Sequence, residues 1–232
     1  MRRSRLICAL GLFGLLLYGC ADTGGTQELY VVKPQDTVYS IAWRYGLDFR
    51  DLARWNNIGS DFRISVGQTL VLTPRHSGVS APMRAGPPST APSGAAAAPR
   101  STQPRSAPPA TTGLKWDWPT DRSGAPRPVP SGGILLTGQL GQDIRAASAG
   151  RVVYSGNGIR GYGTLIIIKH GENLLSAYAH NRESLVRDGQ EVALGEVIGH
   201  MGEGAPSKPV LYFEIRRNGK PIDPLSFLPH VK

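Results

Sequence analysis

Few side chains in this chain of 232 residues are placed to do chemistry. No histidine lies between His76 and His170, so the imidazoles of the C-terminal region, His180 among them, stand apart from the rest of the chain. Together with acids such as Asp143 they are of the types that hold zinc or move protons. Zinc, however, needs several N, S or O donors around it, and a catalytic zinc also needs an open position for water. No spacing of His, Cys, Asp and Glu here supplies such a set. Rival chemistries are missing as well: there is no G-x-S-x-G nucleophile elbow, no phosphate-binding glycine loop and no paired-cysteine motif. His170, at the end of a strand candidate, reads as structural. The residue types point to binding rather than turnover.

The elements that would position these groups fall into distinct segments. Arg2, Arg3 and Arg5 precede an apolar run, Leu6 to Tyr18, which is short for a membrane span and right for a secretory leader. Loss of such a leader takes Cys8 with it and leaves Cys20 as a lone cysteine, so no intramolecular disulfide forms. It also lowers the formal charge from +9 to about +6, which suits an anionic surface such as a cell-wall polymer. Nucleic acid is a poor partner for an exported chain. Residues 30–73 have globular patterning. Residues 74–113 are rich in Pro, Ala, Ser, Thr and Gly with almost no large apolar side chains, so they are expected to be a disordered linker reaching on the order of 120 Å at most. Beyond Leu114, short apolar runs alternate with Gly and Asn-Gly turns. Strands are predicted over 150–154, 164–169, 174–178, 196–200 and 211–216. The unbroken Leu165-Ile166-Ile167-Ile168 run predicts a strand buried on both faces. The domain is expected to be all-β and antiparallel.

In residues 30–73, Tyr30-Val31-Val32 and Gln68 to Leu72 read as strands. Asp36 reads as the N-cap of a helix carrying Val38, Ile41, Ala42 and Tyr45 and ended by Gly46. Asp48 reads as the cap of a second helix with Leu52 and Trp55. Trp43 falls away from Ile41 and Tyr45 and is expected to be partly exposed. The stretches Asp36-Thr37-Val38-Tyr39-Ser40-Ile41-Ala42, Asn56-Asn57 and Val66-Gly67-Gln68-Thr69-Leu70 resemble the LysM domain. The resemblance implies an α+β fold of order βααβ that binds N-acetylglucosamine-containing glycan. It implies a shallow groove between Asp36, Thr37 and Val38 on one side and Asn57, Ile58 and Gly59 on the other.

In residues 114–232, Trp116-Asp117-Trp118-Pro119, Gly161-Tyr162-Gly163, Tyr178-Ala179-His180, Gly189-Gln190-Glu191-Val192 and Phe213-Glu214-Ile215-Arg216 resemble the LytM (M23) metallopeptidase family. That resemblance implies an all-β, duplicated-hybrid-motif fold with a groove across the sheet. In the family, zinc is held by an H-x-x-x-D motif and by the second His of H-x-H. Here the first motif is read as Gln139-Leu140-Gly141-Gln142-Asp143 and the second as Val210-Leu211-Tyr212. Gln139 is a weak neutral donor, Val210 removes an acid/base partner, and the Tyr212 phenol, with an ordinary pKa near 10, ligates poorly. The expected product is a degenerate groove floored by Gln139, Asp143, His180, Val210 and Tyr212, with no metal, no cofactor and no catalytic residue.

Leu17-Tyr18-Gly19-Cys20 resembles the lipobox of bacterial lipoproteins, which implies a signal peptide over 1–19, lipidation of Cys20 and a short lipidated tether over 20–29. Ala21 in place of Asp implies outer-membrane sorting, on the periplasmic face. The order lipobox, LysM, Pro-rich linker, degenerate LytM resembles the NlpD-type murein hydrolase activators of Gram-negative bacteria. That implies a non-catalytic, peptidoglycan-binding lipoprotein that activates a periplasmic N-acetylmuramoyl-L-alanine amidase in septal wall splitting and daughter-cell separation. The alternatives are a zinc endopeptidase with unusual ligands and a passive wall anchor.

Overall fold

The computed structural model describes residues 28–73, 113–121, 123–204 and 208–230. The expected signal peptide, Cys20 and nearly all of the expected linker lie outside these residues.

The first unit runs β1 (Leu29–Val31), α1 (Val38–Tyr45), α2 (Phe49–Trp55), β2 (Thr69–Val71). The two strands pair antiparallel with Tyr30 opposite Leu70. Helix α1 begins one residue later than the sequence suggested. Thr37, not Asp36, is its N-cap, and it closes a capping box with Ser40 (Ser40 N–H to Thr37 Oγ1, 3.0 Å; Thr37 N–H to Ser40 Oγ, 2.9 Å). Asp36 is drawn away by three donors: the Tyr30 hydroxyl (2.6 Å), the Lys33 amide (2.8 Å) and the Arg44 guanidinium (3.2 Å). Gly46 terminates α1 in the left-handed conformation, and Asp48 caps α2 through the Arg50 amide. The Asn56 side chain stands in for a missing strand, accepting from Val71 N–H (2.7 Å) and donating to Val71 O (2.9 Å).

The second unit is a sheet built from β3 (Arg127–Pro128), β4 (Ile134–Thr137), β5 (Asp143–Arg145), β6 (Gly150–Gly156), β7 (Thr164–His170) and β8 (Leu174–Ser184). It continues with β9 (Glu191–Val192), β10 (Val197–Met201), β11 (Glu203–Gly204), β12 (Lys208–Arg217) and β13 (Lys220–Ile222). Along the sheet the order is β3-β4-β12-β8-β7-β6-β9, while β10 pairs with β5 and β8. All pairings are antiparallel. The apolar run in β7 is buried on both faces, as its composition requires. Leu165 and Ile167 enter one core cluster, and Ile166 and Ile168 enter the other.

The β1–β2 unit is packed on the first of those faces. Its core residues Val38, Ile41, Trp43 and Phe49 share one cluster with Val153, Leu165, Ile167 and Tyr212 of the sheet. Trp43, expected to be partly exposed, is only 2% exposed because the Arg216 guanidinium lies 3.6 Å from its ring centroid and donates to its backbone carbonyl at 2.8 Å. Thr37 Oγ1 reaches Val153 O at 3.1 Å, and Arg50 reaches Asn218 Oδ1 at 2.6 Å. Gly219, at φ 74°, sits so close that a Cβ there would lie 2.4 Å from the Leu47 carbonyl carbon.

On the opposite face His170 is fully buried between Ala149 O (2.8 Å from Nδ1) and Ser176 Oγ (2.7 Å from Nε2), with Trp116 against its ring. Burial lowers its pKa to about 4, partly countered by the carbonyl of Ala149. An unfolded histidine titrates near 6.5, so the unfolded chain binds the extra proton between these values. Stability from this group is complete above pH ~6.5 and is lost as pH falls toward 4, by an amount on the order of 3 kcal/mol. The expected result is a fall in urea midpoint from pH 6.5 to 4.5 that is distinctly shallower in His170→Gln.

Candidate functional site

Side chains alternate along β12, so Tyr212, Glu214 and Arg216 share the face that meets the helical unit, while Phe213 and Ile215 enter the opposite core. The Tyr212 hydroxyl donates to Glu214 Oε2 at 2.5 Å, and Arg216 Nε donates to Glu214 Oε1 at 2.7 Å. Tyr212 has one proton and gives it to Glu214, so at the 3.0 Å contact with Ser131 Oγ the serine is the donor. Burial, then the neighbouring Glu214 charge, push the Tyr212 pKa far above its ordinary value. The protonated phenol is therefore favoured at Tyr212, which disfavours phenolate ligation.

Above Tyr212 lies a cavity of about 270 Å³ lined by Val129, Ser131, Gly161, Tyr162, His180 and Tyr212. Tyr162 meets Tyr212 edge-on at 5.6 Å between centroids. His180 is held at φ 65°, a strained conformation for a non-glycine residue, and its amide donates to Tyr162 O at 2.9 Å. Desolvation lowers the His180 pKa, so the ring favours its neutral form. Val210 is buried and closes on Gly204, where a Cβ would lie 2.5 Å from Val210 Cγ1 and 3.4 Å from His180 Cδ2.

The expected register of the first motif is corrected. Gln139 and Asp143 do not line this cavity. Gln139 is exposed in a turn closed by its amide on Gln142 Oε1. Asp143 lies in β5, paired with Arg145 at 2.7 Å and 3.6 Å from His200 Nε2, whose Nδ1 in turn meets Glu183 at 2.9 Å. The strand beside β12 is β4, with Leu135 opposite Tyr212 and Thr137 opposite Val210. Ser131 meets the Tyr212 hydroxyl and Leu135 pairs with Tyr212, so the segment facing β12 lies eight residues upstream of the expected register. Ser131, Tyr162, Leu135 and the Glu214–Arg216 pair were missed as site residues. Neither a serine nor a leucine carries a ligand signal, and the only available clue was the four-residue spacing.

The expected glycan-groove residues divide unevenly. Val38 is fully buried in the core, the Asp36 carboxylate is only 6% exposed, and Thr37 is half-buried against Val153. Asn57 and Gly59 are exposed, and Ile58 packs at the edge of the core.

Residues 30–73 match the LysM domain family and residues 129–224 match Peptidase family M23. The chain is 42% identical to the lipoprotein NlpD/LppB homolog of Pseudomonas aeruginosa, over 88% of this chain and 78% of that one. It belongs to the NlpD/LppB family of lipoproteins. It is also 39% identical to the lipoprotein YgeR of Escherichia coli, over 98% of this chain and 94% of that one. With the murein hydrolase activator NlpD of Escherichia coli it shares 36% identity, over 91% and 71% of the two chains.

In this NlpD/LppB-family chain the donor set at the cavity does not fit zinc. Ser131 and a protonated Tyr212 line the cavity beside one imidazole, His180, and the buried carboxylate of Glu214 is already committed to Tyr212 and Arg216. Among the described residues no group of three His, Cys, Asp or Glu is arranged to hold a metal ion. The Tyr212–Glu214–Arg216 relay should instead reveal itself in stability. Arg216→Ala strands a buried carboxylate and is expected to cost about 3–5 kcal/mol. Tyr212→Phe removes one hydrogen bond to it and is expected to cost about 1–3 kcal/mol, read as shifts of the denaturant midpoint.

Proposed function

We propose that this chain is a non-catalytic peptidoglycan-binding lipoprotein that activates a periplasmic N-acetylmuramoyl-L-alanine amidase, with the cavity over Tyr212 as the docking site. The observation that carries this reading is the composition of that cavity. The cavity presents a hydroxyl, a phenol and a single imidazole, and its floor is held by the hydrogen bonds of Tyr212 with Ser131 and Glu214. A preformed cleft of aromatic and small residues with few polar groups suits a displaced peptide segment of a partner better than it suits hydrolysis. The name of the relative that is a murein hydrolase activator supports the same reading.

Activation then needs only differential affinity. A surface that binds the partner's open form more tightly than its closed form shifts the population toward the open form, and a shift from 1:99 to 99:1 requires about 5.5 kcal/mol of preference. His180 and Tyr162 border the opening and are the residues assigned to contact the partner. Asn57, Ile58 and Gly59 are assigned to the glycan-facing edge of the LysM unit, where wall binding raises the local concentration of activator at the amidase's substrate.

The test is dye release from labelled murein. This chain alone is expected to release none, and an amidase with this chain to release at least tenfold more than the amidase alone. Tyr162→Arg, which fills the cavity mouth with charge, is expected to remove most of the stimulation without changing the circular dichroism spectrum. Release by this chain alone, dependent on added zinc, would establish the endopeptidase alternative. Murein pull-down with no effect on any amidase would establish the passive anchor.

Cys20 is proposed as the lipid attachment site, with the outer membrane as destination; the relatives that are named lipoproteins support this. Cys20→Ser is expected to abolish incorporation of labelled palmitate and to move the chain from the membrane fraction to the soluble periplasm.

A further inference from the structure

A second, larger cavity of about 480 Å³ lies between the LysM unit and the sheet. Its cations come from both sides: Lys33 and Arg44 from the LysM unit, Arg160 and Arg216 from the β domain. Two of these are neutralised, Arg44 by Asp36 at 3.2 Å and Arg216 by Glu214 at 2.7 Å. Lys33 and Arg160 have no carboxylate partner among the described residues, and both are exposed. The cavity therefore carries about two uncompensated positive charges at neutral pH.

Its remaining walls are aromatic apart from Gly46, Gly158 and Ile159. Trp43, Tyr45 and Tyr162 line it beside Tyr30. Trp43 Nε1 is a buried donor without a hydrogen-bond partner. Aromatic walls beside cations that lack a carboxylate partner, Lys33 lying over the Tyr30 ring, form a combination that accepts a ring with apolar C–H faces and a negative charge. Its volume is in the usual range for small-molecule sites.

We propose that this cavity binds a carboxylate-bearing saccharide of the wall polymer. The inference rests on the reading of the LysM unit as a wall-glycan module, since half of the cavity is built from it. The site is separate from the groove edge at Asn57, Ile58 and Gly59, none of which lines it. It adjoins the cavity over Tyr212 through Tyr162, which lines both, and through Arg216, which braces Glu214 beneath Tyr212. The carboxylate has two possible sources on such a polymer: the lactyl group of the sugar itself, or the peptide attached to that group.

Three probes separate these sources in calorimetric titrations of the full-length lipoprotein in detergent. They are the disaccharide of N-acetylglucosamine and N-acetylmuramic acid with its lactyl carboxylate free, the same disaccharide with a peptide amide-linked at that position, and neutral chitobiose. The expected result is that at least one acidic probe binds tenfold or more tightly than chitobiose. Lys33→Glu/Arg160→Glu, made at two exposed positions, is expected to abolish that preference, and added salt to weaken it. Preference for the free acid assigns the lactyl group, and preference for the peptide-bearing form assigns the peptide; both support the proposal. Equal affinity for acidic and neutral probes, or a preference unchanged in the double variant, overturns it. Chitotetraose is a separate control for the LysM reading: if it fails to bind while the charge-dependent preference persists, that reading falls and the acidic site stands.

Discussion

The buried ion pair between Glu214 and Arg216 is the interaction on which the arrangement of this molecule depends. Glu214 has no exposed surface, and a carboxylate there is tolerable only because Arg216 and Tyr212 saturate it. Arg216 in turn lies under Trp43 and holds its carbonyl, so the charge that satisfies the sheet also fastens the helical unit to it. One strand, β12, thereby fixes the phenol at the floor of one cavity, a wall of the other, and the junction between the two units. The chemistry of the site follows from the same pair. A carboxylate that takes the phenol's proton as a hydrogen bond keeps that phenol neutral, and a neutral phenol beside serine and leucine makes a surface for contact rather than a metal site.

Much of the fold was legible because its signals are local. The β7 run of four apolar residues could only be a strand with two buried faces, and the LysM helices are bounded by Gly46 and Asp48, whose roles require nothing beyond neighbouring amides. The N-cap failed by one residue for a tertiary reason. Asp36 and Thr37 are both good caps, and the choice was settled by Tyr30 and Arg44, which are distant in sequence and claim the carboxylate. Trp43 failed for the same kind of reason: helix periodicity sees one helix, whereas its cover comes from Arg216, 173 residues away.

The site was legible at β12 and misread opposite it. Phe213-Glu214-Ile215-Arg216 placed Tyr212 and Val210 on one strand, and the structure has all of them in β12. In the partner segment, Asp143 was the one acid at a plausible distance and drew the register toward itself. Strand pairing shows that the facing residues are Ser131 and Leu135, which have no chemical resemblance to ligands. A serine and a leucine carry no metal-ligating side chain by which sequence reasoning would find them. What persists is geometry, and geometry is specified by pairing.

The contact between the two units also alters what the Pro-rich stretch between them can do. Its length suggested a spacer that carries the β domain far from the membrane. With Trp43 clasped by Arg216, the described residues on either side of it belong to one packed body. One guanidinium thus sets the distance between the LysM unit and the β domain, and releasing that clasp would free the two to separate.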